Sequence, residues 1–152
     1  MKTIEIFTDG VCWGNSGLGG WSAILRSDKT VQSISGHREE TTKNRMELLA
    51  CIEALKQLKE KSRVLLTTSS KYVFNGATEY LSEWYENNWK HSNGNLISNA
   101  DLWIELDLLT DIYDVEWELI EKYQDIPECE ACHLTALEEI ENNSKKYRKY
   151  FS

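Results

Sequence analysis

Three β-rich segments fill the start of the chain, and the stretch between the first two is rich in glycine. In TIEIFTD, apolar and polar side chains alternate, with Ile4 and Ile6 on one face, which predicts a strand. The next stretch, GVCWGNSGLGG, holds five of the eight glycines and predicts a turn. GWSAILRS and TVQSISGH predict two more strands. A chain that begins in this way is expected to form a meander of three neighbouring strands.

Helices and strands alternate in the rest of the chain. Met46, Leu49 and Ile52 keep helical spacing after the third strand. The order that follows is a short strand, a helical region interrupted near Gly76, a polar loop, a second helix, a fifth strand and a last helix. These elements are predicted at residues 63–68, 71–89, 90–98, 101–112, 114–120 and after Pro127. The order βββαβααβα predicts one α/β domain over residues 1–152, a five-stranded mixed sheet with helices on both faces.

Composition limits the partners and the location of the protein. The net charge of −8 disfavours nonspecific attraction to nucleic acid and favours a basic protein partner. No apolar run approaches the roughly 18 residues that a membrane span needs, so no membrane partner is expected. The first residues have no signal-peptide core, and four cysteines without a signal are typical of reduced thiols. We therefore predict a cytoplasmic protein.

Two acidic residues fall where a metal site would need them. Asp9 ends the first strand, just before a glycine, and Glu47 lies in the first turn of the first helix. Cleavage of a phosphodiester by bound Mg²⁺ needs carboxylates that converge from different elements. Each residue also has a simpler explanation: Asp9 as the cap of a turn, and Glu47 as an acid near a helix N-terminus. The residues alone leave both explanations open.

Several short motifs in order along the chain resemble the type 1 ribonuclease H family, which cuts the RNA strand of RNA–DNA hybrids. The resemblance runs from residue 4 to about 140, and TDG followed by NRMEL is its most specific part. The matching stretches are IEIFTDG-C-GN-G-GG at 4–20, NRMEL at 44–48, T-S-YV at 68–73, W----W at 84–89, N-DLW at 99–103, WE at 117–118 and PE-E-C at 127–132. The resemblance implies a ribonuclease H-like fold and a metal-dependent active site.

Only some of the family's catalytic residue types are present in this chain. The resemblance implies four acids, of which the first two match Asp9 and Glu47 as metal ligands. The third position, after the central strand, is Ser69, and the fourth, in the last helix, is His133. The family also has a loop histidine that assists proton transfer, and Tyr123 occupies its position. Serine is neutral at pH 7 and cannot replace a carboxylate.

These replacements lead to the hypothesis that the protein has lost cleavage activity. A pair of unit charges 4 Å apart is worth about 4 kcal/mol at an effective dielectric of 20, so loss of the third acid weakens metal binding by about a hundredfold or more. We therefore predict a pseudoenzyme without a required cofactor, acting as a binding protein, for example an inhibitor or immunity protein for a basic nuclease toxin. The alternative is an active or weakly active ribonuclease H using Mg²⁺ or Mn²⁺. A third explanation is that Ser69 was engineered.

The resemblance also implies a set of substrate contacts. Residues 83–98, where family members carry a basic handle, hold one lysine and two glutamates. This charge balance predicts weak or no binding of an RNA–DNA hybrid. The positions that match family contacts to the hybrid are Cys12, Asn15, Thr42, Asn44, Lys71 and Tyr80.

The stretch CEACH at residues 129–133 formally matches a C-x-x-C-H pattern. Such a pattern occurs at haem attachment sites and resembles zinc sites. Its position at the start of a helix, and the match of Cys132 to a family cysteine, favour a structural role instead.

Overall fold

A five-stranded mixed sheet forms the centre of the protein. The computed structural model describes residues 2–14 and 17–151, with side chains described up to residue 144. The strands lie in the order β3-β2-β1-β4-β5, with β1 antiparallel to β2 and parallel to β4. The sheet thus confirms the predicted fold class. The strands are β1 (Lys2–Cys12), β2 (Gly17–Arg26), β3 (Val31–Thr41), β4 (Ser62–Thr68) and β5 (Asp114–Leu119).

The glycine-rich segment is mostly strand, and the prediction of a turn over its whole length was wrong. β1 continues to Cys12, which pairs with Gly19 in β2. Close packing explains the glycines in the strand: a Cβ atom at Gly19 would clash with the side chain of Thr41, and one at Gly20 with the carbonyl oxygen of Ala136. Of the residues between the two strands, the structure describes only Trp13 and Gly14, and Gly14 has a positive φ of 76°.

The helices begin and end close to the predicted positions. The first helix begins before Met46, because Thr42 caps it by accepting a hydrogen bond from the Arg45 amide at 3.2 Å. The interruption near Gly76 is a π-helical turn, Gly76–Tyr80. The helices are α1 (Lys43–Lys56), α2 (Lys71–Asn75), α3 (Leu81–Glu86), α4 (Ala100–Ile112) and α5 (Pro127–Phe151), with a short 3-10 turn at Tyr123–Asp125.

The two faces of the sheet are covered by different helices. Ile6 in β1 belongs to the larger core, which includes residues of α1 and α4. Phe7, its neighbour, packs instead against Cys129 and Cys132 of α5. Val11 lies in a cluster with Ala136 and Ile140, also from α5. Because side chains alternate along a strand, Asp9 shares the α5 face with Phe7 and Val11.

No helix in the described part of the chain is long and apolar enough to cross a membrane.

Candidate active site

Asp9 is a buried carboxylate on the central strand. It pairs with Ser22 of β2, and only 3% of its surface is exposed. Burial raises the pKa of Asp9 to about 7, and the ammonium of Lys43 offsets only part of this effect. Since Asp9 lies within a strand, with β1 continuing to Cys12, it does not cap a turn. The simpler explanation of this residue is therefore excluded.

Glu47 reaches the same region because α1 packs directly onto β1. A Cβ atom at Gly10 would clash with the backbone nitrogen of Glu47, so this approach requires glycine. Glu47 is 2% exposed, and neither of its carboxylate oxygens has a hydrogen-bond partner among the described residues. The nearest cation is Lys43, whose Nζ lies 3.8 Å from Glu47 Oε2. Such burial differs from the solvated acid that a helix N-terminus ordinarily favours.

The electrostatics of Glu47 show that Lys43 compensates its buried carboxylate only in part. The pKa of Glu47 is raised to about 8, mainly by burial and in smaller part by the nearby Asp9. Lys43, the Gly10 amide and His133 lower this pKa without offsetting the burial. The Gly10 amide lies near the carboxylate but makes no hydrogen bond of normal geometry with it. A buried carboxylate without hydrogen bonds is costly to keep ionised, and a bound cation would remove that cost.

His133 contacts Asp9 directly from the first turns of α5. Its Nδ1 atom lies 2.9 Å from Asp9 Oδ2, and the tautomer decides which atom donates. The ring of Tyr123 stacks on the ring of His133, with centroids 3.8 Å apart and an interplanar angle of 18°. Burial lowers the pKa of His133, and Lys43 lowers it further. The structure thus brings Asp9, Glu47, His133 and Tyr123 into one cluster, and their catalytic roles stay predictions.

Ser69 directly follows the carboxyl end of β4, the strand next to β1. The parallel register pairs Phe7 with Thr67, so its continuation by two residues sets Ser69 beside Asp9. Ser69 is partly exposed, and the next residue, Ser70, caps α2 by accepting a hydrogen bond from the Val73 amide at 3.1 Å. The position predicted from the motifs is therefore next to the buried acids, but it adds a hydroxyl rather than a charge.

The cluster fits one divalent cation better than two. Two carboxylates neutralise one divalent ion and leave a second ion uncompensated. The unpartnered oxygens of Glu47 provide acceptor sites of the kind that Mg²⁺ and Mn²⁺ prefer. Within residues 2–14 and 17–151, no three His, Cys, Asp or Glu side chains already converge as a metal cage.

The predicted substrate contacts lie around the starts of two helices, with Asn15 outside the described residues. The Cys12 thiol contacts the carbonyl oxygen of Thr41 at 3.3 Å, which places it next to the cap residue Thr42. Asn44 is exposed in the first turn of α1, and Lys71 is exposed at the start of α2. Cys12, Thr42 and Asn44 thus lie at the start of α1, the helix that carries Glu47.

Tyr80 lies further away, in the helical region after Gly76. Its side chain is 43% exposed, and its ring lies 5.7 Å from the ring of Trp84. Trp84 in turn contacts the buried Trp103, with ring centroids 5.0 Å apart. Tyr80 is therefore the exposed end of an aromatic series that continues into the core.

The cysteines of CEACH belong to the core. Cys129 and Cys132 are almost fully buried against Phe7, and the Cys132 thiol donates a hydrogen bond to the Phe7 carbonyl oxygen at 3.4 Å. Burial raises the pKa of both thiols to about 12, which disfavours the thiolate form that zinc requires. His133 contacts Asp9, not these cysteines. The structure thus favours the structural role of this stretch.

A polar network that the motifs did not reveal connects three helices beside the cluster. Arg45 makes two hydrogen bonds to Asp101, at 2.8 and 3.0 Å, and one to Asn99 at 3.2 Å. Asn99 and Trp103 both donate to the hydroxyl of Tyr72 at 2.9 Å. The NRMEL and N-DLW motifs contain four of these residues, but only the fold shows that they meet. The network holds the start of α1, and so Glu47, against α2 and α4.

Comparison with known proteins identifies the family. The RNase H family model matches residues 1–141. The chain belongs to the ribonuclease H family. The ribonuclease H of Acetivibrio thermocellus is 43% identical over 147 residues, which cover 96% of this chain and all of the relative. The ribonuclease H of Hydrogenovibrio crunogenus is 47% identical over 117 residues, covering 77% of this chain and 81% of the relative.

Solved structures show the same fold. LC9-RNase H1, described as a type 1 RNase H with the type 2 active-site motif, superposes with a TM-score of 0.83 at 24% identity, covering 93% of this chain and 74% of that one. LC11-RNase H1 in complex with an RNA/DNA hybrid superposes with a TM-score of 0.67 at 17% identity. The match covers 92% of this chain and 98% of that one. At these identities the likeness concerns the ribonuclease H fold alone.

The comparisons overturn the pseudoenzyme hypothesis. Proteins that are 43–47% identical over 77–96% of this chain are named ribonuclease H, which points to an enzyme and not to a binding protein. The prediction that the replacements at Ser69 and His133 make this chain a pseudoenzyme was therefore wrong. It counted the lost acids and left out the buried Glu47 carboxylate, whose oxygens have no hydrogen-bond partner among the described residues. The inhibitor and immunity roles fall with it. A basic protein partner stays a prediction.

The raised acid pKa values of this ribonuclease H family member predict a pH-dependent stability of the metal-free protein. Unfolded Asp9 and Glu47 ionise near 3.8 and 4.5, whereas in the folded protein they ionise near 7 and 8. The folded state therefore binds more protons in this window, and the free energy of unfolding falls as pH rises from about 4 to 8. We expect Glu47→Gln to be more stable than wild type at pH 8, with the advantage vanishing near pH 4.

Denaturant unfolding in the presence of a chelator checks this prediction at several pH values. Glu83→Gln is a matched control, because Glu83 is exposed on α3. Its difference from wild type should change little with pH. A Glu47→Gln difference that is equally constant from pH 4 to 8 would contradict the assignment of an uncompensated buried carboxylate.

Proposed function

We propose that this protein is a metal-dependent endoribonuclease that cuts the RNA strand of RNA–DNA hybrids. The observation that carries the proposal is the pair Asp9 and Glu47, buried together on a ribonuclease H fold with raised pKa values. A structural role alone would favour apolar or hydrogen-bonded side chains at such positions. Support also comes from the relatives named ribonuclease H, which match nearly the whole chain.

Asp9 and Glu47 are the residues that would hold Mg²⁺ or Mn²⁺. A divalent ion bound there would supply Lewis acidity toward the scissile phosphate and toward the attacking water. The two carboxylates match the charge of one such ion, and the two unpartnered oxygens of Glu47 provide binding atoms.

The other residues of the cluster position these acids. His133 holds Asp9 Oδ2 through its Nδ1 atom, and the stacked ring of Tyr123 fixes the plane of the imidazole. Lys43, with 61% of its side chain exposed, places a positive charge 3.8 Å from Glu47 Oε2. This ammonium is accessible to a phosphate that approaches the cluster.

Hybrid binding would rely on a small local surface and not on the overall charge. Lys43 and Lys71 stand at the starts of α1 and α2, beside the exposed Asn44 and the partly exposed Thr42. Lysines at these positions would contact phosphates, while Asn44 and Thr42 offer hydrogen bonds to sugar hydroxyls. Cys12, Asn15 and Tyr80 complete the proposed contact set, although Asn15 lies outside the described residues. Because the net charge is −8, we expect few phosphate contacts.

A cleavage assay on a labelled RNA–DNA hybrid tests the proposal. We expect internal cuts in the RNA strand with Mn²⁺ or Mg²⁺, and no cuts after treatment with a chelator. Addition of the metal to the chelated protein should restore cleavage. Duplex DNA of the same sequence is the control substrate and should stay intact. Failure to cut the hybrid over a range of Mg²⁺ and Mn²⁺ concentrations would contradict the proposed function.

A further inference from the structure

His133 and Asp9 present two donor atoms at the spacing of neighbouring metal ligands. In an octahedral site with metal–ligand bonds of about 2.1 Å, ligands at right angles lie about 3 Å apart. The separation of His133 Nδ1 and Asp9 Oδ2 is 2.9 Å. One cation can therefore replace the proton held between these atoms without moving either side chain far. The freed proton goes to solvent, as is usual when a metal binds.

The imidazole of His133 is held in place for such a role. Tyr123 stacks on the ring at 3.8 Å, and 20% of the His133 side chain is exposed. Because the ring is fixed, the Nδ1 lone pair stays directed at the position that Asp9 Oδ2 also faces. Solvent still reaches the ring, so a cation and its remaining waters can enter.

Glu47 supplies the second negative charge that one divalent ion needs. Its two oxygens are buried without a hydrogen-bond partner, next to Asp9. With Asp9 ionised, the two carboxylates give a charge of −2 at a site that already offers one oxygen and one nitrogen. No third side chain of the described residues has to join the pair for the charge to balance.

A nitrogen donor changes which metal the site prefers. Mg²⁺ takes oxygen ligands almost exclusively. Imidazole nitrogen also binds first-row transition ions, from Mn²⁺ to the more tightly bound ions such as Zn²⁺. We propose that His133 is a metal ligand together with Asp9, and that it makes the site select a first-row transition ion, tested here as Mn²⁺, over Mg²⁺. The inference rests on the proposed function and names the cofactor of that same site.

Two binding measurements test this inference without any assay of cleavage. Titration calorimetry gives the Kd values for Mn²⁺ and Mg²⁺, and their ratio is the selectivity. We expect His133→Asp to reduce the selectivity for Mn²⁺ by about tenfold, because an oxygen replaces the nitrogen. Pulsed electron paramagnetic resonance of the Mn²⁺-loaded wild type should show the nitrogen coupling of a directly bound imidazole. This coupling should be absent from His133→Asn, whose smaller amide side chain has no imidazole nitrogen.

His91→Asp is the matched control, since His91 is exposed in the loop after α3. It should keep both the selectivity and the nitrogen coupling. An unchanged selectivity in folded His133→Asp, or wild-type Mn²⁺ without nitrogen coupling, would overturn the inference. The nitrogen coupling in a protein that never cuts hybrid would refute the proposed function and support this ligand assignment. Cleavage of the hybrid without nitrogen coupling would support the proposed function and refute this ligand assignment.

Discussion

Hybrid cleavage by Asp9→Asn should be about a thousandfold slower than cleavage by wild type. The change removes one of two carboxylates that face the cation, and one charge pair at 4 Å is worth about 4 kcal/mol at an effective dielectric of 20. Asparagine has the shape of aspartate, and its amide oxygen can still accept a hydrogen bond from His133. The fold should therefore survive, and single-turnover cleavage measured on folded protein reports the loss of the charge.

Asp114→Asn is the control for this change. Asp114 begins β5, at the opposite end of the strands from Asp9, and forms an exposed ion pair with Arg63 at 3.8 Å. Removal of this charge should leave the cleavage rate within about twofold of the wild-type rate, since exposed ion pairs contribute little to stability. Cleavage by Asp9→Asn at the wild-type rate would show that the reaction happens elsewhere on the molecule.

Ser69→Asp should bind a divalent cation about a hundredfold more tightly than wild type and should cut the hybrid faster. The register places residue 69 beside Asp9, so a carboxylate there adds a third negative charge to the cluster. The gain is smaller than the full charge-pair value because Ser69 is partly exposed and solvent screens the new charge. Titration of Mn²⁺ and Mg²⁺ into both proteins measures the change in affinity.

A remote substitution separates this local effect from a change in net charge. Ser92→Asp adds the same charge in the exposed loop after α3 and should leave the metal affinity unaltered. The new carboxylate at residue 69 should also destabilise the metal-free protein, because it adds to the repulsion between Asp9 and Glu47. An equal metal affinity for wild type and Ser69→Asp would mean that residue 69 does not face the cation.

Much of the fold was predictable because it follows from local patterns. The alternation around Ile4 and Ile6 places β1, and the spacing of Met46, Leu49 and Ile52 places α1. The extent of the strands was not predictable in the glycine-rich segment. There the glycines serve the packing of Thr41 and Ala136 against the sheet, which are contacts with distant parts of the chain.

The sequence motifs proposed the members of the candidate site but not their electrostatics. In the structure His133 contacts Asp9, and the register of β1 and β4 leads to residue 69 beside Asp9, while the roles of these residues stay predictions. A count of lost acids led to the wrong functional conclusion. It could not include the burial of Glu47, which leaves two oxygens without partners. The 2.9 Å contact of His133 with Asp9 depends on the packing of α5 and was likewise outside the reach of the sequence.

The cleavage rate as a function of Mn²⁺ concentration, compared with the calorimetric Kd for Mn²⁺, tests the central claim most directly. If Asp9 and Glu47 hold the ion on which catalysis depends, the midpoint of the cleavage curve in wild type will coincide with that Kd. Glu47→Gln will shift both values together to higher concentration. Cleavage that persists in chelated protein, or a midpoint that stays fixed while the Kd of Glu47→Gln rises, would contradict the claim.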